Sequence, residues 1–148
     1  MKLLTYKIPG EERERLGVTY ASAFQRFFAL EDLGLFFEDM NDLIEHITPE
    51  QFEILKKSKD AKDLRVMEYD KVIHCAPIPH PRQDIICLGL NFREHAKEST
   101  RYKRETFETA PDYPVYFSKR VNRATGDGDV IPSYPGLVDS LDYEAELG

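Results

Sequence analysis

Three alternating prolines, Pro77, Pro79 and Pro81 in the stretch CAPIPHPRQ (75–83), constrain this chain more than any other feature. Each fixes its own φ, removes a backbone donor and pushes the residue before it out of the helical region. No helix can cross the stretch, and a stiff, extended connector is expected. The chain therefore divides near 78–83. The expected fold class is α+β, with a small N-terminal α+β domain over 1–78 and the first strands of a β-rich domain over 79–148.

Before the break, KLLTYKI (2–8) and RLGVTY (15–20) are rich in β-formers and read as strands flanking a charged turn. ASAFQRFFALEDLG (21–34) permits a helix through Phe24, Phe27 and Phe28, but a hairpin with RLGVTY favours a strand. Met40, Leu43, Ile44 and Ile47 recur at i, i+3, i+4 and i+7, which predicts a helix over 39–47. TPEQ (48–51) is a capping box with Pro49 at the first helical position, so a second helix runs from about 49 to 57. KSKDAKDLRVMEYDKV (57–72) then leads towards the break.

Beyond the break, DIICLGLNF carries an apolar run of the buried-strand type, and PVYFSKR (114–120) is another strand. NRATGDGD (122–129) is a turn-rich loop. In LDYEAELG, Leu141, Tyr143, Ala145 and Leu147 alternate with polar residues, again a strand pattern. So few strands would leave an open edge, and the second domain reads as incomplete.

A chain of 148 residues with 41% apolar content and nine Phe can build a core, because a compact fold of this size buries roughly 70% of its unfolded surface. The formal charge of −7 argues against nucleic acid, whose phosphates require a basic surface. No run approaches the ~20 apolar residues of a membrane span, and the N-terminus lacks a signal-peptide core. A soluble, cytoplasmic protein is expected. Cys75 and Cys87 are expected to be buried, reduced and inert.

Two clusters can carry chemistry. In HAKE, His95 and Glu98 are one helical turn apart, where a carboxylate can orient an imidazole and raise its basicity. The same pair also suits an ordinary exposed helical turn. In YEAE, Glu144 and Glu146 project from one face of a strand, about 6.6 Å apart, and could share a hard divalent cation. Equally, they could be solvated glutamates on an edge. GDGD (126–129) lacks the spaced acids of a calcium loop and is expected to be a tight turn. His46, His74 and His80 show no ligand spacing.

In order, IICLGLNFREHAKE, PVYFSK, a Gly/Asp turn with VIPSYP, and LDYEAELG resemble the fumarylacetoacetate hydrolase family. Asn91, Phe92, His95 and Glu98 fit its Asn-Phe/Tyr-x-x-His-x-x-Glu motif, and Glu144 and Glu146 fit its Glu-x-Glu. Residues 1–75 look like the small N-terminal domain of bacterial members. The resemblance implies a mixed β-roll, a homodimer, and Mg²⁺ or Mn²⁺ (sometimes Ca²⁺) on Glu144 and Glu146, with His95 and Glu98 as the acid/base dyad. It implies action on 2-oxo or β-diketo acids through a metal-bound enolate: C–C bond hydrolysis, isomerisation or decarboxylation, as in aromatic catabolism. Residues 97–113 would be a lid.

The family's third carboxylate ligand, an Asp, and a substrate-binding Lys fall downstream of Glu-x-Glu. Asp139 and Asp142 do not fit that place. The resemblance therefore implies an N-terminal part that alone binds metal weakly and turns over nothing, within a protein longer by roughly a hundred residues or more. A different class stays open, a non-catalytic association module that pairs through an exposed strand edge.

Overall fold

The computed structural model describes residues 1–20, 25–89 and 113–143. Their α+β character agrees with the sequence. The described residues group into one unit of Met1–Pro79 with the segment from Thr125, and another of His80–Ala124.

In the first unit, β1 (Lys2–Lys7), β2 (Arg15–Thr19), β3 (Arg26–Ala29), β4 (Met67–Glu68) and β5 (Ile73–His74) form an antiparallel sheet of order β4-β3-β2-β1-β5. β4 and β5 occupy opposite edges, yet only residues 69–72 join them. In a flat sheet those edges would be about 19 Å apart, four spacings of about 4.8 Å. Tyr69–Lys71 is a 3-10 turn, which rises only about 2 Å per residue. The sheet must curl to bring its edges within reach.

The curl gives the sheet two different apolar faces. Inside it, Tyr6, Phe27 and Ala29 are buried with Leu4, Ile8, Met67 and Val72 around them. Gly17 faces the same side, opposite Ala29 and Leu4 in the strand register. A Cβ on Gly17 would lie 2.7 Å from Phe27 Cδ2, so the glycine makes room for that ring. On the other face Leu16 and Val18 pack with Leu30, Leu35, Met40, Leu43 and Leu55. Phe27 and Phe28 thus serve opposite faces of a strand, and their helical spacing is not used.

That second face is covered by α1 (Met40–His46) and α2 (Pro49–Lys57). Asp39 caps α1 by accepting from the Asp42 N–H at 2.8 Å. Met40 and Leu43 are buried, but Ile44, expected on the same stripe, is 57% exposed at its solvent edge. The capping box of α2 forms in both directions. Thr48 Oγ1 accepts from the Gln51 N–H at 3.3 Å, and Gln51 Oε1 accepts from the Thr48 N–H at 3.0 Å. Leu55 is buried beneath α2, and its carbonyl accepts from the Tyr20 hydroxyl and, at 2.9 Å, from the Ser58 hydroxyl.

The start of the proline-rich stretch is tied to β1. The Cys75 N–H donates to the Thr5 carbonyl at 3.0 Å, and the Thr5 hydroxyl donates to the Pro77 carbonyl at 2.7 Å. Neither cysteine is in a disulfide. Both are half-buried rather than buried, since Cys75 lies where the sheet ends and Cys87 on a thin ribbon.

The second unit contains that ribbon, β6 (Ile85–Gly89) paired antiparallel with β7 (Val115–Lys119), from Ile85 opposite Lys119 to Gly89 opposite Val115. Both strands lie where expected, but β6 is not buried: Ile86 is 76% exposed. The reason is layering. A two-stranded ribbon has two faces, and no helix or second sheet covers either one among the described residues.

Of the strand expected at 141–148, only the first three residues are described. Leu141–Tyr143 are irregular and exposed. No described strand pairs with them, and the Asp142 carboxylate accepts from the Tyr143 N–H at 2.8 Å instead of leaving it for a ladder. Ala145 and Leu147 lie outside the described residues.

Candidate functional site

The acid/base and metal residues expected from the sequence, Asn91, Phe92, His95, Glu98, Glu144 and Glu146, lie outside the described residues. So does the expected lid up to residue 112, while Tyr113 at its end is exposed. What the structure supplies is their flanks. β6 ends at Gly89, shortly before Asn91, and Gly89 pairs with Val115 at the start of β7. The ends of the intervening segment, which carries His95 and Glu98, are therefore neighbours at one end of the ribbon.

The described candidates outside these motifs have structural roles. His46 Nδ1 lies 2.7 Å from Asp42 Oδ1 on the exposed side of α1. The His74 ring stacks on Tyr69 at 3.5 Å, and its Nε2 lies 2.7 Å from the Tyr69 carbonyl, so that nitrogen must carry a proton and donate. His80 Nδ1 approaches the Asn122 carbonyl at 3.2 Å. No three His, Cys, Asp or Glu side chains cluster as a metal site among the described residues.

GDGD is the tight turn expected. The Gly126 N–H donates to Asp129 Oδ2 at 2.9 Å, the Asp129 N–H returns to the Gly126 carbonyl at 3.2 Å, and Gly128 takes the left-handed φ of 78°. The Asp129 carboxylate thus closes the loop through Oδ2. Asp142 likewise bonds its own neighbour's backbone, and Asp139 is exposed.

One feature was not legible in the sequence. A shallow groove of about 430 Å³ is lined by Gln25, Arg26, Glu68, Tyr69 and Asp70 at the β3–β4 edge of the sheet. It depends on the pairing of Arg26 with Glu68, and β4, with two residues, leaves too short a pattern to reveal that pairing. No described helix is long and apolar enough to cross a membrane.

Comparison with known proteins bears on the segment that holds both motifs. The family model described as Fumarylacetoacetate (FAA) hydrolase C-terminal matches residues 84–148. The protein described as Oxaloacetate tautomerase YisK, of Bacillus subtilis (strain 168), is 36% identical over 95 residues, 64% of this chain and 30% of that protein. An uncharacterized protein of Staphylococcus aureus (strain USA300) is 31% identical over 91 residues, 62% of this chain and 27% of its own length. The match thus spans less than a third of either relative. Residues 84–148 belong to the fumarylacetoacetate hydrolase family.

Proposed function

We propose that this chain is part of a divalent-metal-dependent enzyme that acts on 2-oxo or β-diketo acids. The observation that carries the reading is that His95-x-x-Glu98 and Glu144-x-Glu146 fall, in order, within the family segment 84–148. Among hydrolysis, decarboxylation and isomerisation, likeness to a protein described as an oxaloacetate tautomerase favours isomerisation, the relocation of a proton beside a ketone.

The donor set suits this chemistry. Glu144 and Glu146 offer carboxylate oxygens, the ligands that hard cations such as Mg²⁺ and Mn²⁺ take. When bound, such a cation supplies positive charge that polarises the substrate carbonyl. His95, held in one orientation by Glu98, takes the proton from the carbon beside the ketone and returns it to oxygen. The segment 97–113 closes over the substrate and excludes water.

The exposed β6–β7 ribbon is consistent with a catalytic domain, begun at residue 79, whose β-roll would cover it, and with pairing of two such domains in a dimer. Two carboxylates leave the rest of such a cation's shell to water, substrate and other oxygen ligands. The substrate class is tested by offering oxaloacetate, acylpyruvates and dienoic 2-oxo acids to the protein as encoded by its gene, with Mg²⁺ or Mn²⁺. Turnover of none of them would refute the proposal.

A further inference from the structure

β5 is short, and its register explains why. It runs antiparallel to β1 with His74 opposite Tyr6 and Ile73 opposite Lys7. The Cys75 N–H still donates to the Thr5 carbonyl at 3.0 Å. In such a ladder the backbone groups that face one neighbour recur at every second residue. The next donor facing β1 would therefore come from residue 77, opposite Leu3, and the one after it from residue 79, opposite Met1. Both positions are prolines, which carry no N–H. The Pro77 carbonyl, which a ladder would offer to the Leu3 amide, accepts instead from the Thr5 hydroxyl at 2.7 Å.

The outward side of β5 is closed by different means. His74 and Ala76 alternate with Cys75, so their backbone groups face away from β1. The GDGD turn lies against them. A Cβ on Gly126 would come within 2.7 Å of the His74 carbonyl oxygen and 3.0 Å of the Ala76 nitrogen. These are backbone atoms and cannot swing aside, so only a residue without a side chain lets the turn approach this closely. Ala76 is 6% exposed beneath it. Asp129 closes the turn from both its amide and its carboxylate.

We infer that the β1–β5 edge is built to refuse a further strand: Pro77 and Pro79 withhold the donors that would lengthen β5 along β1, and the Gly126 turn covers its outward backbone. An uncovered edge is a template on which another chain can pair. An association module that pairs through a strand edge would have to use a different edge from this one. The inference is independent of the metal and acid–base assignments.

The test combines residue-resolved amide hydrogen exchange with sedimentation velocity over a range of concentrations. It compares the protein as encoded by its gene with Pro77→Ala, Gly126→Ala, Asp129→Ala and Gly10→Ala. In Pro77→Ala the new amide at position 77 should exchange about 2–10-fold more slowly than an unprotected one, the scale of one net backbone hydrogen bond. Exchange at the unprotected rate would overturn the inference, because the proline would then not be what ends the ladder.

In Gly126→Ala and Asp129→Ala the Ala76 amide should exchange faster than in the parent, and sedimentation should become more dependent on concentration. Parental exchange and parental sedimentation in both variants would also overturn it. Gly10, with φ 87° and open surroundings, is the control, and its alanine variant should show neither change. The same changes there would trace them to general destabilisation and overturn the inference. Should Gly126→Ala fail to fold, Asp129→Ala decides, since it opens the turn without adding bulk.

Discussion

Gly17 and Tyr6 face each other's neighbourhood inside the curled sheet, and each makes a separate prediction. A methyl at Gly17 would meet Phe27 Cδ2 at 2.7 Å and Leu4 Cδ2 at 3.1 Å. Gly17→Ala is therefore expected to cost about 1–3 kcal/mol, the usual range for overpacking a core, as a lowered urea midpoint. An unchanged midpoint would mean that the curl is looser than described. Burial raises the Tyr6 phenol above its ordinary pKa of 10.0, with Arg15 pulling partly the other way. The unfolded phenol ionises near 10 while the folded one resists, so this contribution is full below that pH and lost as pH rises through the folded pKa. Unfolding measured at about pH 9 and about pH 11 should show a smaller alkaline loss in Tyr6→Phe than in the parent. Neither role is legible in the sequence. Gly17 is a strand glycine whose reason, the Phe27 ring, arrives only through the pairing of β2 with β3.

The elements differ in how openly the sequence announces them. α2 is written in local chemistry, a Thr–Pro–x–Gln start, and it forms over the residues that chemistry marks. Thr48→Ala should lower stability by about 1 kcal/mol by leaving the Gln51 N–H without its acceptor. Leu55→Ala, beneath the same helix and fully buried, should cost about 2–5 kcal/mol because it empties a packed site. Thermal or urea unfolding of the pair separates cap from core: similar losses would mean that Leu55 is less enclosed than it is here. β4 and β5 have two residues each, too short for a period of two to show. The apolar run of β6 was misleading for a different reason. Composition says that a strand is suited to burial on both faces, but not whether covering layers are present.

For the whole molecule, the α+β character was legible from local rules, whereas the curl of the sheet was not. It follows from five strands in the order β4-β3-β2-β1-β5 with a four-residue link between its edges, and strand order is a property of distant pairings. The chemistry was legible only through order. His95 with Glu98, or Glu144 with Glu146, is ambiguous alone, and the proposed chemistry draws on both motifs falling in order within residues 84–148. The central claim, metal-dependent proton transfer through His95, is tested most directly by the rate of oxaloacetate enol-to-ketone conversion by the gene-encoded protein with Mn²⁺, compared with His95→Ala. The parent should accelerate the conversion, and the variant should lose about 10²–10⁴-fold of that rate, the usual contribution of a positioned acid–base group. Equal rates for the two proteins would contradict it.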